Sequence, residues 1–105
     1  MISVYTTCKD EGEAKEIANQ LVKERLIACA NIFPITSVFW WRNKVNETGE
    51  FAMLMKTKKG NFEKVRERIR ALHSYDVPLI MAFDVFGKDE DYFNWMKEEL
   101  DEKNN

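Results

Sequence analysis

Histidine occurs once in the 105 residues, cysteine and proline twice each, and glycine four times. Each scarcity removes a class of protein. Two cysteines with no C-x-x-C or C-x-x-H spacing argue against a disulfide framework and against a closed zinc site within one chain. So little glycine and proline is unlike a collagenous or linker-like chain. No glycine-rich phosphate loop is present, and no Ser/His/Asp signature. Basic residues are not in excess: 16 Lys and Arg face 18 Asp and Glu, a net charge of −2. Nucleic acid is therefore not an expected partner. Long hydrophobic runs are missing too. The longest apolar tract, residues 26–41, is broken by Asn31, Pro34, Thr36 and Ser37, and falls short of the ~20 residues a membrane helix needs. The opening MISVYTTCKDEGE lacks the basic and apolar regions of a secretory signal. These readings predict a cytoplasmic protein with no membrane contact and with free thiols.

What remains is 45% apolar and 32% charged, a composition for one globular domain spanning residues 1–105. Residues 2–7 are short and β-rich, and read as a strand. Asp10 and Glu13 form a capping-box pattern. Ala14, Ile17, Ala18, Leu21 and Val22 then share a helical stripe, which predicts a helix over residues 11–24. Residues 26–41 and 45–57 read as two strands joined by a turn at Arg42, Asn43 and Lys44. Phe62, Val65, Ile69 and Leu72 make a second helical stripe, and residues 77–85 a fourth strand. A last helix starts at Asp89 or Asp91, with Phe93, Met96 and Leu100 inward, and the tail DEKNN is expected to fray.

The order β-α-β-β-α-β plus a C-terminal helix predicts an α+β, ferredoxin-like fold. One antiparallel sheet would carry two helices on one face. The other face should then be polar, yet three strands are apolar on both faces. Phe39 and Trp41 oppose Val38 and Trp40; Phe51, Met53 and Met55 oppose Ala52 and Leu54; Leu79, Met81 and Phe83 oppose Ile80 and Ala82. A patch of that size marks an interface. The pattern predicts a homo-oligomer that covers the second face, with the long hairpin reaching a neighbour.

Few residues suggest chemistry. His73, in LHSYDVPLIMAFDV, sits where a helix ends. It is either a cation donating to the last helical carbonyls or a metal ligand. Cys29, in LIACANI, is either a small buried hydrophobe or a soft-ion ligand. Cys8 precedes the first helix, whose dipole is expected to lower its thiol pKa. The five Met residues read as packing. Lys56, ending an apolar strand, either holds an anion or snorkels to water. No paired carboxylates suited to acid–base work are visible, and no enzyme is predicted.

Six stretches in register carry a resemblance: VYTT, KERLIACANI, the Trp40–Trp41 pair, MKT at residues 55–57, LHSYDVP at 72–78 and DYFNWM at 91–96. Together they resemble the CutA family of divalent-cation tolerance proteins along almost the whole chain. The resemblance implies a ferredoxin-like trimer with interlocking hairpins. It implies a trimeric divalent-cation tolerance protein that binds copper or another divalent metal in response to metal ions. The alternative it implies is a small-ligand sensor or adaptor, since the trimer is similar to PII-type signalling proteins, which bind ligands between subunits. Cys29 and His73 match the recurrent Cys and His and are the implied metal ligands. Trp40, Lys56, Tyr75, Tyr92 and Trp95 match positions that line or flank intersubunit clefts. Cys8 matches none. Three residues depart from the family pattern: Ser74 replaces Pro, Asp76 replaces Glu, and Leu79 replaces the Glu that often follows Pro78.

Overall fold

The computed structural model describes residues 1–87 and 89–101. Strand β1 is Ile2–Cys8, helix α1 Glu11–Lys23, β2 Cys29–Trp41, β3 Lys44–Thr57, α2 Phe62–Leu72, β4 Met81–Asp84 and α3 Glu90–Asp101. The strands lie in the order β2-β3-β1-β4, and all neighbours are antiparallel. This is the ferredoxin-like α+β arrangement, with α3 added. No helix among the described residues is long and apolar enough to cross a membrane.

The local chemistry explains the elements. Asp10 caps α1 by accepting the Glu13 N–H at 2.8 Å, and Glu13 reaches back to the Lys9 N–H at 3.2 Å. The capping box is thus shifted by one residue. At its other end α1 closes in a Schellman motif: Leu26 N–H bonds to Leu21 O and Arg25 N–H to Val22 O. Arg25 takes the left-handed position, with φ of 62°, that glycine usually fills. Ala14, Ile17 and Leu21 are buried, but Val22, expected on the same stripe, is exposed. It lies about a quarter-turn from the stripe's centre.

Ile2, Val4, Cys8, Met53 and Met55 face α1 and α2, and pack with Ile17, Leu21, Val65 and Ile69 into the core. A polar staple closes this core. The Thr57 hydroxyl donates to Leu26 O at 2.7 Å, and Asn61 Nδ2 donates to the Thr57 hydroxyl at 3.2 Å. It fixes the chain entering β2 against the end of β3.

β1 ends opposite Phe51, so residues 35–41 of β2 and 44–50 of β3 pair only with each other. This arm adds roughly 23 Å of two-stranded ribbon. It stretches the molecule to 47 Å and the radius of gyration to 14.6 Å, against about 13 Å for a compact chain of this length. The tip turns at Arg42 and Asn43, both with positive φ, as a type I′ hairpin requires.

The fourth strand is shorter than expected: Met81–Asp84 rather than residues 77–85. Pro78 brings no N–H to a ladder, and the Thr7 carbonyl is taken by the His73 ring. Pairing therefore stops at Tyr5 and Met81. Helix α3 starts where Asp89 Oδ1 accepts the Tyr92 N–H at 3.1 Å, and it buries Met96 and Leu100. The expected fraying beyond residue 101 lies outside the described residues.

Alternation puts Tyr5, Thr7, Ile35, Phe39 and Trp41 on the sheet face away from α1 and α2. That face and its margins keep large apolar groups in the open: Trp41 is 60% exposed, Phe83 52%, Val77 85% and Phe86 100%.

Candidate metal and ligand sites

His73 ends α2 through its backbone, whose N–H bonds to Ile69 O. Its ring does not serve the helix's own last carbonyls. It crosses to β1, where Nε2 lies 2.8 Å from Thr7 O, while the Tyr75 N–H donates to Nδ1 at 3.1 Å. A carbonyl can only accept and an N–H can only donate. The ring therefore carries its proton on Nε2 and offers its lone pair on Nδ1.

Two further donors stand beside it. Cys8 Sγ, a Glu13 carboxylate oxygen and a His73 ring nitrogen lie within 4.8 Å of one another. Cys8 is the last residue of β1, fully buried, and its thiol donates to Met53 Sδ at 3.7 Å. The expectation of a lowered thiol pKa fails here. Burial, reinforced by Glu13, Glu50 and Asp10, pushes Cys8 up to about 12, because the side chain enters the core instead of facing the helix terminus. Glu13 behaves oppositely. Burial pushes it up, but hydrogen bonds from Ser74 and the Lys9 N–H outweigh that, and its carboxyl ends below the usual range. The Ser74 N–H donates to Glu13 Oε2 at 2.9 Å. A proline at position 74 has no N–H to give, so the Ser74 departure is what ties this loop to α1. The sequence signal for Glu13 was only its capping pattern.

Cys29 lies elsewhere. It pairs with Lys56, which pairs with Ser3, four residues along β1 from Thr7 and so about 13 Å away along the strands. The two ligands implied by the resemblance therefore do not meet within one chain. Cys29 Sγ instead contacts Tyr92 Oη at 3.1 Å. This contact, then burial, pushes Tyr92 up to about 12. Tyr92 also packs against Trp95, with ring centroids 5.5 Å apart and the planes tilted by 47°, and Lys56 donates to Asn31 Oδ1. Cys29, Lys56, Tyr92 and Trp95 thus belong to the α3 end of the sheet.

Tyr75 belongs to the other end. A groove of about 860 Å³ runs over the open face, lined among others by Tyr5, Phe39, Trp41, Glu50, Tyr75 and Leu79. The Tyr75 hydroxyl donates to Glu50 Oε2 at 2.7 Å. Burial, then this bond, holds the phenol well above its ordinary pKa. Trp40, expected to flank a cleft, does not line the groove. The strand period of two gives that place to Trp41 and leaves Trp40 74% exposed on the opposite side. Glu50 was not singled out from the sequence, since one acid in an apolar strand has no local partner to reveal it.

Fold and sites define a class: a ferredoxin-like α+β subunit with an open apolar sheet face and a mixed sulfur, nitrogen and oxygen cluster at one end. The sequence pattern of the CutA1 divalent ion tolerance protein matches residues 2–99. The chain belongs to the CutA1 family. It is 44% identical to the divalent-cation tolerance protein CutA of Pyrococcus horikoshii over 99 residues, covering 94% of this chain and 97% of that one. It is 37% identical to the Thermotoga maritima protein of the same name, over 95% of this chain and 99% of that one. The solved structure of the periplasmic divalent cation tolerance protein CutA from Archaeoglobus fulgidus superposes with a TM-score of 0.93 at 38% identity, covering 96% of this chain and all of that one. That of CutA1 from Pyrococcus horikoshii gives 0.91 at 43% identity, covering 94% and 97%. The family name points to divalent cations, and the donor set of Cys8, Glu13 and His73 suits a borderline one.

Proposed function

We propose that this chain works as a homotrimeric, non-catalytic divalent-cation tolerance protein in the cytoplasm, binding copper or another divalent ion in response to that ion. The observation that carries the reading is the open sheet face. A solitary subunit would leave Phe39, Trp41, Leu79, Met81 and Phe83 in water, together with the unpaired edges of β2 and β4, and both are liabilities that assembly removes. The relatives' names supply the cation. Titration calorimetry with copper(II) and with zinc tests it on the purified assembly, with its thiols reduced beforehand and the reductant removed. Saturable uptake is expected, and a flat titration with both ions contradicts the metal reading. Uptake that survives Cys29→Ser removes Cys29 from the site.

The groove favours a second reading, a small-ligand sensor. Its aromatic wall and the Tyr75–Glu50 pair provide apolar contact with a few oriented polar groups, as ligand sites do. Assembly over the open face would convert it into an intersubunit cleft. A thermal-shift screen of nucleotides, carboxylates and phosphates tests this reading, since a ligand bound only by the native state raises the transition temperature. No shift with any of them counts against it.

A further inference from the structure

We propose that the groove over the open face takes an amphipathic organic cation, with an ammonium head at Glu50, Tyr75 and Asp76 and an apolar chain running out along Ile35 and Phe39 towards Trp41. The proposal rests on the small-ligand reading above and names the chemical class of the ligand. Charge and geometry carry it independently.

The charge of the groove has one sign. Its described lining includes two carboxylates, Glu50 and Asp76, and no Lys, Arg or His. Glu50 is half-buried on β3, directly across from Ile35. Neither carboxylate has an ion-pair partner among the described residues. Taking an ionised carboxylate out of water is costly unless a cation or hydrogen bonds compensate. Tyr75 supplies one bond, from its hydroxyl to Glu50 Oε2, whereas a carboxylate has room for about four. A primary ammonium brings the missing charge and up to three further donors. An anion meets the same two carboxylates as repulsion, and the apolar walls strengthen that repulsion by lowering the local dielectric.

Geometry places the head and the chain. Asp76 follows Tyr75 in the sequence and lines the same groove, so the acidic end lies where the segment between α2 and β4 meets β3. From Glu50 the groove runs outward along the arm. Phe39 stands opposite Asn46 and Trp41 opposite Lys44, roughly 13 and 20 Å beyond Glu50 at the rise of a strand. An elongated apolar chain fits that stretch, and the volume of about 860 Å³ lies in the range of small-molecule sites. Trp41 already has the Arg42 guanidinium 5.6 Å from its ring centre. The outer end is thus served by the protein's own cation, and the charge of the ligand belongs at the inner end.

The test is titration calorimetry of the assembled protein with hexylamine and with hexanoate near pH 7, where the amine is protonated and the acid ionised. The two share a chain and differ in the sign of the head. The proposal expects saturable binding of hexylamine, and binding of hexanoate weaker by about tenfold or more. Glu50→Gln keeps an acceptor for the Tyr75 hydroxyl and removes the charge. It should weaken hexylamine binding by about tenfold or more, with circular dichroism and oligomeric state unchanged. Hexanoate that binds as tightly as hexylamine, or no loss of hexylamine binding in folded Glu50→Gln, overturns the cation assignment. So does silence from hexylamine alongside a thermal shift with any nucleotide, carboxylate or phosphate. In each of these cases the small-ligand reading stands. No response to the amine or to any of those anions overturns both. The comparison of the two heads uses the wild-type protein, so it does not depend on the variant folding.

Discussion

Glu13 shows how much one side chain does that its local pattern does not announce. It caps α1, as Asp10 and its spacing suggested, but its second oxygen holds the Ser74 N–H from a loop 61 residues away. That long-range bond was not legible, because nothing local links the two. Its consequence is a pH dependence. The folded-state pKa of Glu13 is lowered, so its contribution is present above the unfolded carboxylate value, near 4.3, and is lost as pH falls through the folded one. Glu13→Gln should therefore flatten the acid limb of a stability–pH curve measured by urea unfolding below about pH 5. Cys8 acts at the other extreme. Its folded pKa is raised to about 12, so its contribution is full below the unfolded thiol value, near 8.5, and disappears as pH rises towards 12. Cys8→Ala should be less sensitive than wild type to alkali over that window, by the same measurement. A parallel loss in both proteins would contradict the account of the buried thiol.

Elements were the most legible level where periodicity was strong. The sequence pattern placed α1 within one residue of its observed end and the Arg42–Lys44 turn at the hairpin tip, because stripes and turn chemistry are local. The fourth strand was read too long, because its apolar run is continuous and only the His73 contact with Thr7 shows where pairing stops. The tip gives a direct test. Arg42 and Asn43 both adopt positive φ, a conformation that costs a non-glycine residue about 1 kcal/mol. The Arg42→Asn, Asn43→Gly double variant should gain about 1 kcal/mol, less the Arg42–Trp41 stacking it gives up. The urea midpoint at fixed protein concentration reads the gain, and an unchanged or lowered midpoint would contradict it. The polar staple makes the opposite prediction. Thr57→Val removes the donor to Leu26 O and leaves a buried carbonyl with a weaker partner, for a loss of about 1–3 kcal/mol in the same assay. No loss would mean that the staple is incidental.

At the scale of the whole molecule, the two-faced strands carried the reading furthest. Apolar residues on both sides of β2, β3 and β4 predict an uncovered face, and the open face has that geometry in a molecule that the hairpin arm stretches to 47 Å. The sites were less legible. The resemblance pointed to Cys29 and His73 as a pair, whereas topology puts them at different ends of the sheet. The residues that do meet His73 are Cys8, which matches no recurrent family position, and Glu13, which reads as a cap. Convergence of this kind depends on how β1, α1 and α2 end together, and that is a property of the fold. The most direct test of the central claim is native mass spectrometry of the protein with its thiols reduced, before and after addition of zinc or copper. The account predicts an assembly of three copies of the 12.4 kDa chain that takes up one or the other ion in a fixed ratio. A monomer, or a trimer that takes up neither ion, would contradict it.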